Sequence, residues 1–152
     1  MNEIIKLDKT DKSILNALFD NSRLSYRQIA KKAGISAATV MHRVNSLVRS
    51  EIIKKYSIVI DYDKIGYEIP VVVNVQVSHG KLAQVEEKIA RDLNVMAVYD
   101  VTGDFDIVII AKFKTRRLMD KFIKRLQTYD FVTRTETRLI LNTIKEEEIR
   151  LD

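Results

Sequence analysis

The sequence predicts an α+β chain in two parts: three helices running into a strand, then the order strand, helix, strand, strand, helix, strand. Three observations lead there. Apolar residues recur at helical spacing three times before residue 50, whereas Val71, Val73, Val75 and Val77 alternate with Val72, Asn74 and Gln76. The formal charge is also divided: eleven Lys or Arg face six Asp or Glu from Met1 to Tyr62, against fifteen and fifteen from Asp63 to Asp152. The 152 residues allow one domain or two small ones, and 46% hydrophobic content suffices for packed cores.

The elements follow in order. Asp8 suits the N-cap of a helix carrying Ile14, Leu15, Leu18 and Phe19 inward, and Asp20-Asn21-Ser22 supplies stop and turn residues. Ser25 caps the second helix, which Gly34 ends by taking the left-handed conformation. Ser36 caps the third, with Ala37, Val40, Val44, Leu47 and Val48 on its apolar side. From about Lys55 to Ile60 the alternation is that of a strand, so three helices and a strand make a winged helix. Turn formers in Asp61 to Tyr67 mark a linker. The expected divisions are a helix-turn-helix domain over 1–53, a β-strand linker over 54–67 and a second domain over 68–152.

In that second part Pro70 stands where a strand begins, a place that tolerates the missing amide. Leu82, Val85, Ile89 and Leu93 mark a helix; Val95 to Thr102 and Asp106 to Phe113 are strands joined through Gly103-Asp104-Phe105. Thr115 caps a helix with Leu118, Met119, Phe122, Ile123 and Leu126 inward, and a last strand runs from about Val132 to Leu141. This is the ferredoxin-like βαββαβ order, a sheet with two helices on one face. Either Val108 and Ile110 or Ile107 and Ile109 must point away from those helices, so a homodimer packing sheet on sheet is the economical cover.

The chemistry divides with the charge. Ala38, Thr39, His42, Asn45, Ser46 and Arg49 share the outward side of the third helix, a slim, polar and basic face suited to a DNA major groove. Ser25, Tyr26, Arg27, Ser36 and Arg43 stand at helix ends and flanks where backbone phosphate is gripped. The bland alternative is a solvated bundle surface, with Arg43 in a salt bridge at the edge of the apolar face. Because the excess positive charge lies entirely in this first part, nucleic acid is its expected partner.

Catalytic signals are thin. His42 and His79 are the two imidazoles, and no nucleophile triad, metal-ligand spacing or phosphate loop is present. Without cysteine there are no disulfides, thiolates or zinc-finger ligands. No apolar run approaches bilayer length and the N-terminus lacks a signal-peptide stretch, so a cytoplasmic protein without membrane association is expected.

Three stretches carry a resemblance to a known family. Leu7-Asp8-X-X-Asp11-X-X-Ile14-Leu15, then Ser36-X-X-X-Val40-X-X-Arg43-Val44-X-X-Leu47 followed by Ile52-Ile53, and finally Gly103-Asp104-Phe105-Asp106 resemble the Lrp/AsnC (feast/famine) transcription regulators in order and spacing over almost the whole chain. One departure is visible: Glu51 stands where the family usually has Gly after the recognition helix, and a left-handed non-Gly residue costs roughly 1 kcal/mol.

The resemblance implies a dimer whose recognition helices read successive major-groove faces, and which assembles further to a tetramer or octamer. It also implies an amino-acid effector bound between neighbouring dimers, with no cofactor. In such a pocket Gly103 lets a ligand carboxylate approach backbone amides and Asp104 or Asp106 pairs with its ammonium, while Thr133 and Thr135 offer hydroxyls and Tyr99 a wall. The plain alternative is a hairpin turn beside a Thr-rich strand. Two other functions fit the outline: an architectural DNA-binding protein without an effector, and a haem-pathway decarboxylase, which resembles the same two-domain architecture. The decarboxylase would need His and Arg in the second domain, where His79 is the one histidine.

Overall fold

The computed structural model describes residues 4–78 and 82–152, so His79 lies outside the described residues. The chain divides into two compact units, Met1–Val59 with Lys145–Asp152, and Ile60–Ile144.

The first unit is built on α1 (Lys9–Asp20), α2 (Tyr26–Ala33) and α3 (Ala37–Arg49). Each starts where a short polar side chain can satisfy amides left unpaired at a helix end. The Asp8 carboxylate accepts from the Asp11 amide at 2.8 Å, and the Asp11 carboxylate accepts in return from the Asp8 amide at 3.2 Å. Ser25 and Gln28 repeat this reciprocal cap on α2, and the Ser36 hydroxyl accepts from the Thr39 amide at 3.0 Å on α3. Gly34 ends α2 at φ +68°. Ile14, Ala17, Ile29, Ala30, Val40 and Val44 form the core, each fully buried Ile or Val adding about 1.5–3 kcal/mol. Phe19 and Val48, expected inward, are 41% and 43% exposed. They sit at the margins of their apolar stripes, beyond the cover that the other two helices provide.

Glu51 keeps the left-handed turn after α3, at φ +58°. Its amide donates to the Val48 carbonyl at 3.1 Å, and the Ile53 amide donates to the Leu47 carbonyl at 3.1 Å. Residues 54–60 then form no strand within the chain, although their alternation suggests one. Ile58 is 76% exposed and Val59 fully so. A strand exists only as half of a ladder, and among the described residues this stretch has no neighbouring edge to pair with. Residues 61–67, expected as linker, fold instead with the second unit. There the Asp61 carboxylate accepts from the Lys64 amide, Asp63–Ile65 makes a single 3-10 turn, and Tyr62 packs edge-on against Tyr67 with ring centres 5.6 Å apart.

The segment 145–152, placed by sequence with the second domain, returns to α1. Asn16 clasps the Leu151 backbone in both directions: its amide group donates to the carbonyl at 2.7 Å and its carbonyl oxygen accepts from the amide at 3.1 Å. Arg150 pairs with Asp20 at 2.7 Å and donates to the Asn16 carbonyl.

The second unit carries β1 (Ile69–Val77), α4 (Leu82–Ala90), β2 (Val95–Asp100), β3 (Ile107–Phe113), α5 (Arg116–Gln127) and β4 (Val132–Leu139). The sheet order is β2-β3-β1-β4 with every neighbouring pair antiparallel, the ferredoxin-like arrangement. Val71, Val73 and Val75 join Ile107, Ile109, Ala111 and Phe113 under Val85, Ile89, Phe122 and Leu126 of the two helices. Val72 opposes Ile110 and Asn74 opposes Val108 on the other face, so Val108 and Ile110 are the pair that points away from the helices. They are half-buried. Asp92, in the turn after α4, is pulled upward in pKa by burial. Hydrogen bonds from Asn94 and Arg125 outweigh that and hold its carboxyl below the ordinary range.

Candidate nucleic-acid interface

The caps that start α2 and α3 fix how the third helix is presented. Ala38, Thr39, His42, Asn45, Ser46 and Arg49 are all exposed on α3, and Ser25, Tyr26, Arg27 and Ser36 are exposed around the start of α2 and the turn before α3. Three of these side chains already have partners. The Thr39 hydroxyl lies 2.8 Å from the Ser36 hydroxyl, and the Ser25 hydroxyl donates to the Gln28 side chain. Ala38, His42, Asn45, Ser46 and Arg49 therefore form the accessible stripe, with Met41 exposed beside it. Sequence reading passed over Met41, whose place on the helix flank was nonetheless calculable from 100° per residue.

Arg43 has a different position from its neighbours. Its guanidinium lies 2.8 Å from the Asp8 carboxylate and 3.3 Å from that of Asp11, tying α3 to the start of α1. Asp11 is the buried acidic residue among the described residues. The Asp11 backbone hydrogen bond, and after it the Arg43 charge, hold the Asp8 carboxyl below its ordinary pKa. The salt-bridge reading of Arg43 is the one its geometry supports.

The Gly103 loop closes the hairpin between β2 and β3. Gly103 has φ +120°, and an added Cβ would meet open space, so backbone conformation rather than crowding is what calls for glycine. Asp106 anchors the loop to β1. Its carboxylate accepts from the Val77 amide at 2.7 Å, and its own amide donates to the Val75 carbonyl at 3.0 Å. Gln76 donates to the Asp104 carbonyl, and Arg134 stacks 5.1 Å from the Phe105 ring centre. Among the described residues the exposed Asp104 carboxylate accepts no hydrogen bond.

The other expected members of this pocket separate. Thr133 donates its hydroxyl to the Gln76 carbonyl at 3.1 Å, close to the loop. Thr135 opposes Val75 and therefore faces the helices, where Gln127 donates to its hydroxyl at 3.0 Å. Tyr99 opposes Val108 on the outer sheet face and is exposed. Thr135 and Tyr99 thus stand on opposite sides of the sheet. Gln76 and Arg134 are the loop neighbours that sequence reading missed; only strand register could have revealed them.

Residues 7–54 match the winged helix-turn-helix DNA-binding family, and residues 70–149 match the Lrp/AsnC ligand binding domain. The chain is 38% identical, over 94% of its length and 97% of the relative's, to an uncharacterized HTH-type transcriptional regulator of Pyrococcus furiosus. It is 30% identical to the HTH-type transcriptional regulator FL11 of Pyrococcus horikoshii, over 93% of this chain and 94% of that one. The structure of E. coli AsnC superposes with a TM-score of 0.88 at 26% identity, covering 97% of this chain and all of that one. These relatives are transcriptional regulators, which sets the decarboxylase alternative aside. A basic, capped three-helix head joined to a βαββαβ domain, matched over both parts, makes this chain a member of the Lrp/AsnC family of DNA-binding transcriptional regulators.

Proposed function

We propose that the chain binds a specific DNA sequence through paired α3 helices in the cytoplasm, and that a free amino acid bound between neighbouring dimers changes that binding. No cofactor enters this reading. The observation that carries the effector part is the division of labour in the Gly103 loop. Asp106 is spent holding the loop to β1, while Asp104 is exposed with a carboxylate unspent beside a glycine backbone open to approach. Such a site suits the ammonium and carboxylate common to every amino acid. The half-buried Val108 and Ile110 on the uncovered sheet face support pairing of protomers sheet on sheet, from which tetramers or octamers grow.

The test is a fluorescence-anisotropy titration of the protein against the DNA upstream of its own gene, at moderate salt with excess unrelated competitor, repeated with each amino acid added. Affinity that survives competitor and shifts with one amino acid supports the reading. Affinity that survives but ignores every amino acid overturns the effector part. Equal affinity for unrelated DNA favours the architectural alternative.

A further inference from the structure

The second unit carries a concentrated basic face that the DNA-binding head does not explain. From Lys112 to Arg125 there are seven Lys or Arg and a single acid, Asp120, while the rest of Asp63 to Asp152 holds eight Lys or Arg against fourteen Asp or Glu. The helix α5 buries Phe122 and Leu126 against the sheet and turns Arg116, Arg117, Lys121 and Lys124 outward. Lys124 pairs with Asp120 at 2.8 Å, Arg125 pairs with Asp92, and Lys114 lies 5.2 Å over the Tyr67 ring. Arg116, Arg117 and Lys121 enter no ion pair among the described residues. An open depression of about 620 Å³ runs along this face, lined by Thr115, Arg117, Leu118, Asp120, Lys121 and Lys124.

The placement of two arginines is also unfavourable for the helix itself. Arg116 and Arg117 fill the first turn, with no acid there to offset them, at the end where the helix dipole repels cations. Folding of the isolated unit gains nothing from that arrangement; an approaching anion does.

The geometry points to a second DNA-contacting surface: α5 binds the phosphate backbone of duplex DNA flanking the stretch that the α3 helices read. This rests on the DNA-binding role of the head, which brings the polyanion to the molecule. Duplex DNA carries one charge per about 1.7 Å of axis, and guanidinium groups match phosphate oxygens in pairs. The row Arg117, Lys121, Lys124 covers about 10 Å of helix, room for more than one phosphate. No aromatic ring faces outward on α5, so the stacking platform that single strands use is missing. Leu118 is the large apolar side chain exposed on this helix, too little for the apolar centre of a protein interface.

The test uses the full chain with two duplexes, one limited to the operator and one extended on both sides. The slope of log affinity against log salt is measured for wild type and for the triple variant R116Q/R117Q/K121Q. A steeper wild-type slope on the long duplex, reduced in the variant by about 0.9 for each phosphate that is no longer neutralised, with the short-duplex slope unchanged, supports the inference. R117K/K121R, which keeps the charge, retains the long-duplex slope on this reading. Equal wild-type slopes on the two duplexes overturn it. So does dissociation of the variant's oligomer in light scattering, which would make α5 a contact between copies. Failure of wild type to prefer the operator duplex would overturn the role of the head instead, and the inference with it.

Discussion

Arg43 of α3 reaches 2.8 Å from the Asp8 carboxylate that caps α1, so one guanidinium joins the helix that presents the DNA-reading face to the start of the head. The contact makes Arg43 a structural clasp rather than a free phosphate grip. We expect Arg43→Gln to lower the unfolding midpoint while leaving the salt slope of DNA binding unchanged. A slope reduced by about 0.9 with the midpoint unmoved would return Arg43 to the phosphate contacts.

The same contact gives a pH dependence. The folded-state pKa of Asp8 is depressed below 3.8, so its stabilising contribution is fully present above that value and is lost as pH falls through the lower folded-state value. Asp8→Asn should therefore lower stability at neutral pH and flatten the acid end of the midpoint-against-pH curve. An acid limb identical to wild type would assign the effect to other carboxylates, of which Asp61 and Asp92 are also depressed.

On the exposed stripe of α3, Arg49→Ala and His42→Ala each remove a side chain able to reach bases or phosphate. Each should weaken operator binding by about 1–3 kcal/mol, read as a rise in dissociation constant, with the oligomer intact by light scattering. Unchanged constants in both variants would move the reading surface elsewhere.

The two loop aspartates should part ways. Asp106→Ala removes the acceptor of the Val77 amide and should destabilise the second unit by about 1–3 kcal/mol. Asp104→Ala, which breaks no hydrogen bond of the described chain, should leave the midpoint unchanged and abolish the amino-acid response. A normal response in Asp104→Ala would place the pocket away from this loop.

Glu51 holds φ +58° without being glycine. Glu51→Gly should raise stability by up to about 1 kcal/mol, because relief of the left-handed strain exceeds the added freedom of the unfolded chain. A lowered midpoint would mean that the Glu51 side chain contributes more than its backbone costs.

These relationships show where a sequence speaks and where it falls silent. Alternation of valines was enough to place β1 and its buried face, and Ser25, Ser36 and Gly34 marked helix ends that the structure reproduces within a residue, because caps and periodicity are local. Residues 54–60 have the alternation of a strand yet form none in this chain, since a ladder needs a partner that periodicity does not name. Thr133 and Thr135 looked equivalent by spacing, but the register shift at Gln76/Val77 interrupts the pairing of β4 with β1 there, and the two hydroxyls find different partners. Arg43 could be a phosphate grip or a clasp until the position of Asp8 was known.

The return of residues 145–152 to α1 has a practical consequence for anyone dividing the molecule. The polypeptide passes from one unit to the other twice, so no single cut yields the head in its entirety. A fragment ending at Val59 would leave Asn16 without the Leu151 backbone and Asp20 without Arg150. Its melting behaviour would describe a truncated object, whereas adding a synthetic peptide of residues 145–152 should restore part of what the cut removed.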